Sequence, residues 1–312
     1  MNNNVSIIVG GTGQFGITLA KKLIKNNKVI ITTRSILKSR KKFPKINKVK
    51  LENLKIGSKK EIKRLIKKYN PKHIYYFAGQ SSPAKSFKKS KETYLSNFVG
   101  CKNFLEVINE NNFNCKFINA SSCDIFGNSN RKLDLSSQKI PVSPYGRSKL
   151  ASYKLTKKFR ENKGLSAYNA IIFNTESIYR NRSFLISKIC LSAINAKKNS
   201  TKTAFGNLNI SREWNWCPEQ CDMLIKFLSK KPQDFILSNG KNFTASKMLK
   251  FAFDYFKLDF KEFVFFDKKY SRKRDISHIR SNYTKCLKRN NLKRKNNIFG
   301  KKLIHKLIRY YL

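Results

Sequence analysis

Val5-Ser6-Ile7-Ile8-Val9-Gly10-Gly11-Thr12-Gly13-Gln14-Phe15-Gly16 carries an apolar, β-branched run straight into a glycine-rich turn, and Ile17-Thr18-Leu19-Ala20-Lys21-Lys22-Leu23 follows with helical character. Strand, turn and helix in that order predict a chain that reverses sharply at the carboxyl end of a sheet strand. Glycines there permit the tight turn and let the backbone approach a pyrophosphate, which sits at the positive end of the helix. A bare glycine pattern is weak evidence, but in this setting it favours a dinucleotide site over a merely structural turn. Gly10, Thr12, Gly13, Gln14, Phe15 and Gly16 are the expected contacts.

The same rhythm recurs through the first half of the chain. Short β-branched or aromatic runs at 5–9, 28–32, 48–51, 73–78, 116–120 and 168–173 alternate with helix-length amphipathic segments at 14–26, 59–69, 91–111 and 145–163. Such alternation predicts a parallel sheet wrapped by helices. Ile74-Tyr75-Tyr76-Phe77-Ala78 reads as a strand buried on both faces. Beyond residue 174 the alternation weakens, leaving helix-like pieces near 184–197, 219–229, 246–257 and 299–311. The expected fold class is α/β: a Rossmann-type doubly wound parallel sheet with a smaller, mixed α/β C-terminal substrate domain. An approximate boundary separates 1–173 from 174–312, with segments free to interleave and the site in the cleft between them.

A chain of 312 residues, 40% of them hydrophobic, can bury the core such a pair of domains needs. Its seven cysteines (101, 115, 123, 190, 217, 221, 286) are odd in number and scattered, and His73, His278 and His305 do not stand at metal-ligand spacing. Cys217 and Cys221 read as small buried apolar groups rather than a zinc pair, so reduced thiols and no metal are expected. Met1-Asn2-Asn3-Asn4 leads into the first strand without a basic region or cleavage-site pattern, and no apolar run approaches membrane-spanning length. A soluble, cytoplasmic protein without a membrane partner is the expectation. The net charge of +49 invites a nucleic-acid or anionic-surface reading. Yet the lysines are spread along the whole chain among asparagines and isoleucines, and pairs such as Lys59-Lys60 and Lys157-Lys158 fall on predicted helices. Solvated surface positions and a general attraction for phosphorylated substrates are favoured over nucleic-acid binding, for which the basic region 285–302 would be the place to look.

The second strand ends in Thr32-Thr33-Arg34-Ser35, without the acid that holds the ribose hydroxyls of NAD. Arg34 beside small hydroxyls suits a 2′-phosphate, which favours NADP over NAD. Asn53 and Leu54 follow the third strand, where they can meet the adenine, and Ala78, Gly79 and Gln80 close the fourth with residues small enough for a dinucleotide to lie flat.

Tyr145-Gly146-Arg147-Ser148-Lys149 sets a phenol and an ammonium four residues apart, on one face of a helix. A nearby cation favours the phenolate, lowering the tyrosine pKa toward the working pH and making it a base for a sugar or alcohol hydroxyl. Upstream, Asn119-Ala120-Ser121-Ser122-Cys123-Asp124-Ile125-Phe126-Gly127 ends the strand 116–120, and carboxyl ends of strands are where open α/β sheets bind ligands. Ser122, Tyr145 and Lys149 form a set for oxidising a carbinol. Asp124 adds an acid that an ordinary dehydrogenase does not need.

At these residues the chain resembles the extended short-chain dehydrogenase/reductase superfamily of NAD-dependent epimerases and dehydratases, and within it the GDP-mannose 4,6-dehydratases, over nearly its full length. Ser122-Cys123-Asp124 is similar to that family's hydroxyl-x-acid triplet, and Ser143-Pro144-Tyr145 through Lys149 to its Ser-Pro-Tyr-x-x-x-Lys segment. Phe173-Asn174-Thr175-Glu176-Ser177 resembles FNHES, Gly206-Asn207-Leu208 through Arg212-Glu213-Trp214 resembles GNLDxxRDW, and Arg272-Lys273-Arg274-Asp275-Ile276 stands where one bacterial branch has an RPSDI-like motif. The same branch has runs similar to Gly79-Gln80-Ser81-Ser82 and Trp214-Asn215-Trp216-Cys217-Pro218-Glu219.

The resemblance implies a hydro-lyase of deoxysugar biosynthesis acting through an internal redox cycle. Tyr145 would deprotonate the sugar 4-hydroxyl as hydride leaves C4 for NADP, with Ser122 on the same oxygen and Lys149 holding phenolate and ribose. Asp124 would then remove the acidified C5 proton and help expel the 6-hydroxyl as water, after which hydride returns to C6. In the second half, a nucleotide-sugar-binding domain, Ser81, Asn174, Glu176, Lys188 and Asn207 would serve the substrate, with Arg212 and Arg272 on its phosphates. Thr175 and Arg180, with Glu176 beside them, fall near the nicotinamide half of the cofactor. GDP-mannose is the favoured substrate and a homodimer or homotetramer the implied assembly. The chain departs from the pattern at Asp124 for glutamate, Ser122 for threonine, Thr175 for histidine, and Ile178 and Lys273 for prolines. A related NADP-dependent 4-reductase or 4-epimerase would share all but the C5 base, and a non-catalytic basic NADP- or nucleic-acid-binding protein would need none of the four reactive groups.

Overall fold

Apolar, β-branched runs shielded on both faces build the centre of the molecule, in which the computed structural model describes residues 4–40, 49–270, 275–293 and 297–312. The central sheet has seven strands: β1 Val5–Val9, β2 Lys28–Thr33, β3 Val49–Asn53, β4 His73–Tyr76, β5 Lys116–Ser122, β6 Ala167–Ile172 and β7 Asp234–Leu237. Their spatial order is β3-β2-β1-β4-β5-β6-β7, and every neighbouring pair is parallel. Ile7, Ile8, Val9, Ile30, Ile31, Ile74 and Ile118 are wholly buried, as sequestration between two helix layers requires. The order reverses between β1 and β4, and the crevice outside the strand ends at such a reversal is the ligand position of doubly wound sheets.

Eight longer helices flank the strands: α1 Gln14–Leu23, α2 Lys59–Tyr69, α3 Gly100–Glu110, α4 Pro144–Lys163, α5 Leu185–Asn199, α6 Cys217–Phe227, α7 Ala245–Asp254 and α8 Gly300–Tyr311. In α2, Ile62, Leu65, Ile66 and Tyr69 recur at helical spacing and turn inward, while its lysines stay in water. Ser58 caps that helix by accepting the Glu61 amide at 3.2 Å, an arrangement worth about 1 kcal/mol. One apolar cluster joins α2 and α3 to one face of the sheet, a second joins α1 and α6 to the other, and a third unites α5, α7 and α8 beyond the sheet.

The structure differs from the expected elements in two places. The single helix expected over 91–111 is a short helix, Ser90–Tyr94, a π-helical turn, Leu95–Val99, and α3. The widened turn seats Asn97 inside, its amide donating to the Gln80 carbonyl at 3.2 Å and to Ser148 Oγ at 3.1 Å. The second difference is that the chain comes back to the sheet after residue 173: α6 packs on α1, and β7 pairs with β6.

A buried polar network fixes that returning strand. Asp234 Oδ1 accepts from Arg160 at 2.8 Å and from Asn169 at 2.9 Å, and Oδ2 accepts from the Tyr153 hydroxyl at 2.7 Å. Asn169 in turn accepts from Asn119 of β5 at 2.9 Å, so one carboxylate ties β5, β6, β7 and α4 together. Asp234→Ala strands a guanidinium and two polar partners in a largely buried site. We expect it to lower stability by roughly 3–5 kcal/mol, read as an earlier urea midpoint.

Candidate active site

The glycine turn separates steric demand from ligand demand. Gly10 has φ +73°, and a Cβ on it would meet the Ala78 backbone at 2.5 Å; one on Gly16 would collide with the backbone of Gly11. Both glycines are required by the packing of strand, turn and helix. A Cβ on Gly13 would meet only the Gly10 carbonyl oxygen, at 3.9 Å, so the fold itself does not demand glycine there. That open backbone, at the start of α1 and beside the reversal of strand order, fits the close approach of a pyrophosphate. Arg34 is exposed just past the end of β2, with Thr33 hydrogen-bonded to Ser35 and Ser39 beneath it. Asn53 ends β3, and buried Leu54 donates its amide to the Thr33 carbonyl at 3.1 Å. Ala78 and Gly79 follow β4, where the Gln80 side chain is drawn into its own loop by Ser82 and Thr93; Ser81 is exposed beside it.

The reactive groups meet at the end of β5. Ser143 caps α4 by accepting the Gly146 amide at 3.0 Å, Pro144 opens the helix, and Tyr145 and Lys149 follow one turn apart, both buried. A Cβ on Gly146 would stand 2.7 Å from the Asp124 carbonyl oxygen, so glycine lets the first turn of α4 lie directly on the 122–126 turn. Ser122 Oγ donates to Asp124 Oδ1 at 3.4 Å and accepts the Asp124 amide at 3.2 Å. The Ser122 hydroxyl is near enough to the Tyr145 phenol to favour its ionised form.

The electrostatics correct one expectation. Burial, and then the charge of Asp124, push the Tyr145 phenol well above its ordinary range, with the Ser122 hydroxyl and the more distant Arg180 opposing. Lys149 lies one turn further along the same helix, and its ammonium donates to the Ala120 carbonyl at 2.8 Å. Burial depresses Lys149 itself to about 8. Spacing puts both groups on one helix face, but it does not reveal that a strand-end carbonyl lies within the lysine's reach.

Residues of the second half wall the site. Asn174 Oδ1 accepts from the Cys123 thiol at 3.9 Å, and its backbone carbonyl holds Asn215. Thr175 is buried with its hydroxyl on the Phe173 carbonyl, and Glu176 is buried beside Arg180, Nε to Oε2 3.6 Å. Gln14 uses its whole side-chain amide on this wall, donating to the Thr175 carbonyl at 2.8 Å and accepting from Ser177 at 2.9 Å. Lys188 donates to the Ala204 carbonyl at 2.6 Å and lies over the Tyr270 ring, and Asn207 is exposed. Arg212 is buried, with hydrogen bonds to the Ser211, Ile276 and Ser277 carbonyls and to Asp275. Arg272 lies outside the described residues.

Three supporting residues escaped the reading of the sequence. Ser86 is buried and accepts the Tyr145 amide at 3.1 Å. Gly146 carries the contact described above, and its place between Tyr145 and Arg147 was the one available hint. Glu213 is buried and gathers Ser238, Gly240 and Ser281 about one carboxylate, which burial pushes upward in pKa. Among the described residues no group of three metal-ligating side chains occurs, and no helix is long and apolar enough to cross a membrane.

The model of the family described as GDP-mannose 4,6 dehydratase matches residues 7–299. The chain belongs to the GDP-mannose 4,6-dehydratase family. It is 28% identical over 244 residues to GDP-mannose 4,6 dehydratase 1 of Arabidopsis thaliana, a match covering 76% of this chain and 68% of that protein. It is 27% identical over 264 residues to the GDP-mannose 4,6-dehydratase of Vibrio cholerae, covering 80% and 71% of the two chains. The same fold appears in the dTDP-glucose 4,6-dehydratase of Streptomyces venezuelae with NAD and TYD bound, with a TM-score of 0.86, 16% identity, and 98% and 96% of the two chains covered. In this chain Ser122 ends β5 and Asp124 follows in the turn Cys123–Ile125.

The depressed Lys149 yields a signed expectation. Between about 8 and its ordinary 10.5 the unfolded chain keeps a proton that the folded chain has released, so stability rises with pH across that window. Lys149→Met removes this component. The stability difference between native protein and Lys149→Met, measured by urea denaturation, should be flat below pH 8 and then shift in favour of the native protein up to 10.5.

Proposed function

We propose that this chain dehydrates GDP-mannose to the 4-keto-6-deoxy sugar nucleotide, retaining NADP from one turnover to the next. The observation that carries the reading is the packing of α4 on the 122–126 turn, which sets Tyr145 beside Ser122 and Asp124 at the same carboxyl edge of the parallel sheet as the glycine turn. Gly10 to Gly16, Asn53, Leu54, Ala78 and Gly79 would hold the dinucleotide, and the exposed Arg34 supports NADP over NAD. The cofactor, when bound, supplies the hydride acceptor and donor of an internal redox cycle.

The chain's own groups divide the proton chemistry. Tyr145 takes the proton of the sugar 4-hydroxyl, and Ser122, close to the phenol, orients the same oxygen. A 4-ketone acidifies the C5 hydrogen, and Asp124, on the next turn of chain, is the base that removes it and the acid that assists departure of the 6-hydroxyl. Lys149, near 8 at this depth, can present an ammonium or an amine around neutrality and so can steady the phenolate or pass a proton. In this reading Asn174 and Lys188 serve the sugar diphosphate, while the Arg212 guanidinium holds the Ser211, Ile276 and Ser277 carbonyls beside it. A cytoplasmic homodimer or homotetramer is part of the same reading.

Purified protein given GDP-mannose with no added reductant should form a 4-keto-6-deoxy product; stoichiometric consumption of NADPH would instead identify a reductase. Asp124→Asn should lose about 100-fold or more in water elimination while the C4 oxidation step persists. Solvent deuterium incorporation at C5 reports this directly, and a native rate of incorporation in the variant would remove Asp124 from the mechanism.

A further inference from the structure

Gln14 stands at the joint between the glycine turn and α1, and its backbone and side chain serve different neighbours. The first intrahelical hydrogen bond of α1 runs from the Ile17 amide to the Gly13 carbonyl at 3.0 Å, so the amides of residues 14–16 precede the helical ladder and are the ones a helix start offers to a pyrophosphate. The side chain is committed elsewhere. Its Nε2 donates to the Thr175 carbonyl at 2.8 Å and its Oε1 accepts from the Ser177 hydroxyl at 2.9 Å, partners 161 and 163 residues away in sequence. A neutral amide meets both at once, whereas an ionised carboxylate of the same length has no hydrogen for the Thr175 carbonyl.

The wall so gripped is short and is otherwise held from its far side. Thr175–Glu176 pair in parallel with Asn215–Trp216, and the Asn215 amide donates to the Asn174 carbonyl at 2.8 Å. Ser177 is buried, and its hydroxyl also accepts the Tyr179 amide at 3.2 Å. The Cys217 thiol, at the head of α6, donates to the Gln14 carbonyl at 3.8 Å. Both strands of that short pair therefore reach α1 at the same residue. Lys21 makes a second link from α1, to the Tyr179 hydroxyl, but that contact is exposed while the Gln14 bonds are partly buried.

We infer that Gln14 is a positioning residue: its backbone belongs to the dinucleotide turn, while its side chain, touching neither substrate nor cofactor, sets the 174–177 wall against that turn. The sequence alone makes Gln14 a cofactor contact. The inference rests on the reading of 174–177 as the sugar-nucleotide side.

The test compares native protein with Gln14→Met, which keeps the length of the side chain and removes both hydrogen bonds. Amide hydrogen exchange of a peptide spanning 174–180 is followed in NADP-loaded protein, NADP affinity of the unloaded protein is measured by fluorescence quenching, and KM and kcat are determined for GDP-mannose. Gln14→Met should exchange the 174–180 amides about tenfold faster and raise the GDP-mannose KM about tenfold, the worth of two partly buried hydrogen bonds. The kcat and the NADP dissociation constant should stay within about twofold of native, because binding lost equally from ground and transition states appears in KM. Gln14→Asn, one methylene too short to meet both partners, covers failure of Gln14→Met to fold. Ser177→Ala should add little to either Gln14 variant, since both changes break one shared contact.

A native rate of exchange over 174–180 in the Gln14 variants would overturn the proposal, and weaker NADP binding alongside it would make the side chain a cofactor contact. A loosened segment with an unchanged GDP-mannose KM would overturn it as well, because the wall would then be held for the fold alone. Native protein that forms no product from GDP-mannose would defeat the dehydratase reading, and exchange with NADP affinity would still decide the clamp.

Discussion

The site depends on how closely α4 can be laid on the end of β5. Gly146 presents bare backbone to the Asp124 carbonyl, Ser86 takes the Tyr145 amide, and the Ser143 hydroxyl closes the helix start. With those three contacts made, Tyr145 meets Ser122, and Lys149, one turn further, reaches the Ala120 carbonyl. Any side chain at 146 would push helix and strand end apart, and a base displaced by about 1 Å can lose on the order of 100-fold in rate. Catalytic geometry here is therefore set as much by an absent side chain as by the reactive ones.

That seating also decides what the isolated motif leaves open. Four-residue spacing fixes which helix face two groups share, but not what else that face meets. In the folded chain burial lowers the ammonium, while burial and the neighbouring Asp124 raise the phenol, so their pKa values move opposite to what proximity alone suggests. Arg212 repeats the lesson. Its motif position suggests an anion partner, and the carbonyls at 211, 276 and 277 occupy its guanidinium.

Much of the sheet was legible because most of its first six strands are apolar runs and four of the six lead into a helix-length amphipathic segment, a strictly local pattern. β7 was not. Phe235-Ile236-Leu237 is too short for periodicity to distinguish it from a helix fragment, and its partner β6 lies more than sixty residues earlier. The polar joints were hidden for the same reason: Glu213 with Ser238 and Ser281, and Asp234 with Tyr153 and Arg160, pair residues that nothing local relates. The large positive charge, conspicuous in the composition, says little about these joints. The acids are few, yet Asp124, Glu176, Glu213 and Asp234 each occupy a buried or half-buried position where a solvated lysine could not substitute.

The late arrival of β7 bears on how the molecule is made. Residues 173–233 form an excursion between two adjacent strands, so the sheet cannot close its edge until the whole substrate-side wall through α6 has been synthesised. Up to that moment β6 is an open edge, ready to pair with any extended chain nearby. With a formal net charge of +49, two such chains repel each other, and that repulsion opposes the pairing of one open edge with another.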